Sequence, residues 1–186
     1  MNPLGDALGI IKKNWKLLAG LNAMYFCVVV IGAALALMSP SLHLSMFQLI
    51  GSETDLSFSS SLIYALLITF PSIILPIWGP IIGASKFFIW GVAYVAPIPG
   101  GATLGSLLPQ YILMLLQGEA YIIAIFACVR QLTVALASAD EGFRQALKEY
   151  IKAVFDSMKL LIIVALLLIA AALFQALMVR FLNGFL

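Results

Sequence analysis

The sequence predicts an all-α polytopic integral membrane protein with about five transmembrane helices. Three observations carry that prediction. Of 186 residues, 63% are apolar and only 10% are charged, against roughly 25% charged in soluble domains. The apolar residues fall into blocks longer than about 18 residues, the length needed to cross a hydrocarbon slab about 30 Å thick. Lys and Arg are distributed so that an odd number of crossings gathers nearly all of them on one side.

The elements follow in chain order. Asn2 as N-cap, Pro3 at the first helical position and Asp6 in the first turn favour a helix over residues 1–16. Leu4, Leu8, Ile11 and Trp15 share one face, with Lys12, Lys13 and Lys16 at the end. The segment reads equally as an amphipathic interfacial helix or as an aqueous extension of the first span. Its apolar continuation is longer than the hydrophobic region of a signal peptide and reads as a retained span over 17–38.

A polar loop follows, holding Glu53, Asp55 and the lone His43, which reads as a surface histidine because no second His or Cys accompanies it. Span two, 62–83, contains Pro71, Pro76 and Pro80 and is expected to be kinked or broken. Lys86 marks a short turn, and span three, 87–106, is interrupted by Pro97, Pro99, Gly100 and Gly101. Pro109 opens span four, 109–130, with a second candidate break at Gly118. Ser138 and Glu141 form a capping-box pattern ahead of a cytoplasmic amphipathic helix over 138–156, where Arg144, Lys148 and Lys152 make a basic stripe suited to lipid or partner contact. Span five, 160–179, carries Ala165, Ala172 and Ala176 as a small-residue packing face.

With the N-terminus cytoplasmic and five crossings, nine of the ten Lys and Arg residues lie inside and Arg180 alone lies outside. That orientation suits a multi-pass protein of the plasma membrane. The partners expected are the bilayer itself, other membrane proteins or a second copy of the chain. Net charge is only +2, and the basic residues do not alternate with aromatics, so nothing points to nucleic acid. Cys27 and Cys128 sit in apolar runs and read as small buried hydrophobes.

Glu119 is the most informative residue, since a carboxylate at mid-span costs roughly 2.5 to 3.5 kcal/mol on insertion scales. It reads either as interhelical glue or as a functional group, and either as a charge with a cationic partner or as a protonated carboxyl hydrogen-bonded to a neighbouring helix. Lys86 and Arg130 are its candidate partners, although eleven residues of helix, about 16 Å, separate Glu119 from Arg130, which suits the cytoplasmic headgroups better. Gln117 and Gln110 read as interhelical hydrogen-bonding groups. Gly79 with Gly83, and Gly101 with Gly105, match the GxxxG spacing for close helix approach. Sequence patterns for nucleotide-binding loops, HExxH zinc helices and membrane Ser–His pairs are absent, so the chain reads as non-enzymatic and without a cofactor.

Two stretches carry a resemblance: Glu119-Ala120-Tyr121-Ile122-Ile123-Ala124 through Arg130, and Lys159 to Ala176. With the amphipathic start, the kinked span, the Gly-rich middle and the basic helix, they make the chain resemble stage II sporulation protein M and its bacterial and archaeal relatives. The likeness covers the C-terminal third well and the region 61–91 loosely; the His-Gly pair that precedes the embedded Glu in that family has Leu115 and Leu116 at the corresponding positions here. The resemblance implies a non-enzymatic membrane scaffold, as the sporulation member anchors wall-remodelling hydrolases. A permease-like subunit with a mid-membrane polar site around Glu119 is the alternative.

Overall fold

The computed structural model describes residues 3–42, 45, 58–95 and 104–183. The described residues form helices: α1 (Pro3–Lys13), α2 (Trp15–Met38), α3 (Phe58–Ser72), α4 (Trp78–Trp90), α5 (Leu104–Ala137) and α6 (Phe143–Asn183). A π-helical turn over Gly91–Val95 extends α4, and a 3-10 turn over Ala139–Glu141 joins α5 to α6. Three helices, α2, α5 and α6, are long and apolar enough to cross a membrane. The outer surface is correspondingly greasy: Phe26 is 70% exposed, Leu173 61% and Leu177 66%, a surface stable in hydrocarbon and not in water.

Helix α5 is the axis. Ala120 through Cys128 are buried without a break, so every side of that stretch meets protein, as expected of a helix apolar all round. Helix α6 runs antiparallel beside it, fixed by Arg130 to Asp156 at 2.9 Å, with the Ser157 hydroxyl, which donates to Ala153 O at 2.8 Å in its own helix, lying 3.4 Å from Ala127 O of α5. The α6 face that packs is Leu160, Val164, Leu168 and Ala171, all buried. The expected packing face does not form: Ala165 and Ala176 are exposed and Ala172 is half-buried, because the bulkier stripe fills the groove along α5.

Span two is not one kinked helix. Its three prolines make a hairpin: Pro71 sits in the last turn of α3, Pro76 lies in the connecting turn, and Pro80 falls in the first turn of α4, where its missing N–H has no intrahelical role. The Ser72 hydroxyl staples the hairpin, donating to Ile68 O at 2.6 Å and accepting the Gly79 N–H at 2.8 Å. Tyr150 of α6 donates to Ile73 O at the hairpin tip, 2.6 Å away. The chain therefore turns near Ile73–Ile77, not at Lys86, which lies well inside α4 and is 2% exposed.

Glycines set the helix spacings. A Cβ on Gly79 would stand 2.9 Å from Cys128 Sγ, and one on Gly83 would overlap Ile125, so this GxxxG pair does bring α4 against α5. A Cβ on Gly91 would meet the Val29 backbone, and one on Gly32 the backbone of Phe88 and Val92, which locks α2 to α4 and its π turn. The other expected GxxxG pair falls partly outside the described residues, as do Asn2, His43, Glu53, Asp55 and the Pro97–Gly101 cluster.

Further expectations are corrected. Helix α5 begins at Leu104 with Pro109 inside it, and it continues unbroken through Gly118 and past Arg130 to Ala137. Residues 143–156 of the expected surface helix and the whole of span five, 160–179, belong to one continuous helix of 41 residues, not to two separate elements. Ser138 makes no capping bond; its hydroxyl donates to Val134 O at 3.0 Å, and the turn is made instead by Gly142, whose φ of 103° suits glycine. Helix α1 is not a continuous extension of α2, since the helix breaks at Asn14; it is tied to α6, with Ala7 fully buried and Asp6 3.7 Å from Lys159, while Leu4 and Leu8 stay exposed.

Candidate functional site

Directions follow from the contacts. Tyr25 donates to Pro80 O at 3.0 Å while Gly32 packs on Phe88 and Val92, so α2 and α4 run parallel. Gly83 packs on Ile125 and Gly118 on Phe87, so α4 and α5 run antiparallel. Where these three helices diverge, a half-open cleft of about 360 Å³ remains. Phe87 and Trp90 of α4, 5% and 1% exposed, form its floor with Gly118. Phe26 of α2 and Leu115 of α5, exposed, form its mouth.

Glu119 is the one carboxyl and Asn22 the one amide side chain among the described residues lining this cleft, whose other side chains are apolar or aromatic. Both are half-buried, and the Asn22 amide is the polar side chain set against the carboxyl. Among the described residues Glu119 forms no ion pair. Helix α5 is continuous for several turns on either side, which places Glu119 near the middle of its apolar stretch.

The two cations proposed as its partners go elsewhere. Arg130 pairs with Asp156, which is also 3.2 Å from Lys159, and Lys159 reaches Asp6 at 3.7 Å. This chain of four charges ties α1, α5 and α6 together at one end of the bundle. Lys86 is enclosed by rings: its Nζ lies 4.2 Å from the Tyr64 centroid and 5.4 Å from that of Trp90. Trp90 stacks in turn near Tyr121, with centroids 5.6 Å apart, and Tyr64 lies 6.3 Å from Tyr121. Cation–π contact of this kind is worth about 0.5 to 2 kcal/mol per ring and offsets part of the cost of a buried ammonium.

Gln117, 1% exposed, is buried in the core one turn before Tyr121. Arg144, Lys148 and Lys152 do lie together, all exposed along the foot of α6, with Lys152 3.6 Å from Glu149. Beside them Phe143, Leu147, Ile151 and Phe155 make an exposed apolar stripe at steps of four. Asn22, Asp156 and the Tyr64–Trp90–Tyr121 enclosure escaped the sequence reading; Asn22 alone carried a signal there, as an amide within an apolar block. Among the described residues no group of His, Cys, Asp and Glu is placed to hold a metal ion. Comparison with family models, curated proteins and solved structures finds no match.

Proposed function

We propose that this chain is a non-enzymatic membrane scaffold, five-pass and resembling stage II sporulation protein M, seated in the plasma membrane with its N-terminus in the cytoplasm. The five passes are α2, the α3 and α4 limbs of the hairpin, α5 and α6, which alternate in direction. The observation that carries the scaffold reading is the length of α6. At 41 residues it is about 62 Å long, while about 20 residues, Leu160 to Val179, suffice for hydrocarbon. The remaining foot, 143–159, is about 25 Å long and extends beyond the apolar slab.

A foot in water with Phe143 84% exposed and Phe155 64% exposed, flanked by Arg144, Lys148 and Lys152, suits an amphipathic acidic helix of a partner. The four-charge chain of Asp6, Lys159, Asp156 and Arg130 braces the base of that foot. The test is a photo-crosslinking residue at Leu147 in intact membranes. The reading expects a discrete protein adduct that disappears when Arg144, Lys148 and Lys152 are all changed to Glu. Adducts to lipid alone would sink it.

The cleft at Glu119 favours a second reading, a permease-like subunit with a mid-membrane polar site. Its test is flux in liposomes: transport by the wild type and none by Glu119→Gln supports it, and identical behaviour of the two removes it.

A further inference from the structure

The cleft between α2, α4 and α5 combines features that select a ligand class. It is deep enough to bury Phe87 and Trp90 at its floor, and its volume of about 360 Å³ falls within the range of small-molecule sites, roughly 300 to 1,000 Å³. Its mouth, between Phe26 at 70% exposure and Leu115 at 68%, opens sideways through faces that meet hydrocarbon. Inside, one carboxylate, Glu119, stands with the Asn22 amide and no ion-pair partner among the described residues.

Four ligand types can be weighed against that lining. A neutral hydrophobe leaves the carboxylate uncompensated. An anion is repelled by it. A hard metal ion requires six or more oxygen ligands and would find one carboxylate and one amide. An organic cation whose charge is spread beneath an apolar surface loses little hydration, meets Glu119 electrostatically, and lays its bulk on aliphatic and aromatic walls. Because Lys86 already stands 5.4 Å from the Trp90 ring, the rings open to a second cation are Phe26, Phe87 and Tyr111.

We propose that this cleft binds a lipophilic organic cation, admitted from the side of the bilayer and held by the Glu119 carboxylate. The proposal supplies the ligand class for the permease reading but requires binding only, so the two can fail separately.

The experiment uses the full chain, purified in a neutral detergent, and an isosteric pair of probes: tetraphenylphosphonium and tetraphenylborate, alike in shape and opposite in charge. Binding is measured by equilibrium dialysis. The expected result is saturable binding of about one phosphonium per chain, at least about tenfold weaker for the borate and for Glu119→Gln, and abolished by Leu115→Trp, which plugs the mouth from an exposed position. Glu149→Gln, on the foot of α6, leaves binding unchanged. Equal binding of the two probes, an unaltered Glu119→Gln, or no saturable binding by a wild type that unfolds cooperatively would each overturn the proposal. A stoichiometric protein found seated over Leu115 would overturn it too. Saturable binding without flux in liposomes would retire the permease reading and leave the site standing.

Discussion

Replacing Gly32 with Ala tests the helix packing directly. A Cβ there would stand 2.5 Å from Phe88 O, 3.0 Å from Val92 N and 3.1 Å from Gly91 Cα. Carbon contacts are comfortable only at about 3.5 Å and beyond. All three neighbours are backbone atoms, so no rotamer change relieves the overlap, and α2 must move off α4 by about 1 Å. A gap of that size forfeits about a quarter to a half of each dispersion contact across the interface, and overpacking of this kind costs about 1–3 kcal/mol. Gly20 in the same helix is the control. Nothing lies within 4 Å of its Cβ position, so Gly20→Ala gains about 0.5–1 kcal/mol of helix propensity. Unfolding titrations in mixed micelles, read by circular dichroism, should separate the two variants by about 1.5–4 kcal/mol. A Gly32→Ala protein as stable as the wild type, or a Gly20→Ala protein less stable than Gly32→Ala, would refute the packing argument.

Further outcomes follow from the buried polar groups and the turn. Gln131 is fully buried, and neither amide atom finds a hydrogen-bond partner among the described residues, so Gln131→Met should raise stability by about 1–3 kcal/mol in the same titration. Arg130 and Asp156 are only 16% and 20% exposed, so Arg130→Met alone should cost about 1–3 kcal/mol, while Arg130→Met with Asp156→Leu recovers most of the loss. A double variant as unstable as the sum of its singles would show that the pair acts independently of one another. Gly142→Ala adds no clash but forces alanine to a φ of 103°, and a fall of about 1–3 kcal/mol is expected.

The helical, membrane-embedded character was legible in composition and block length, because both depend only on counting apolar residues along the chain. Helix α2 was placed to within a few residues for the same reason. The α3–α4 hairpin was not, since three prolines in an apolar run read the same whether they kink one helix or end one and begin the next; the Ser72 staple that decides it is a tertiary contact. Lys86 misled because a charge in an apolar stretch suggests a turn, and the rings that accept it come from α3 and from a position one turn along α4. Glu119 stood out as a carboxyl group inside an apolar stretch. Its setting beside Asn22, and the departure of Arg130 to Asp156, depend on which helices become neighbours, and no local pattern encodes that.

The arrangement as a whole rests on α1, the foot of α6 and the α5–α6 turn standing on one side of the bilayer, with the end of α6 on the other. Single cysteines at Lys12, Lys148 and Asn183, introduced after Cys27→Ala and Cys128→Ala, decide it in sealed right-side-out and inverted vesicles. A membrane-impermeant maleimide should reach positions 12 and 148 only in inverted vesicles and position 183 only in right-side-out ones. Labelling of positions 12 and 148 from opposite faces would contradict the account.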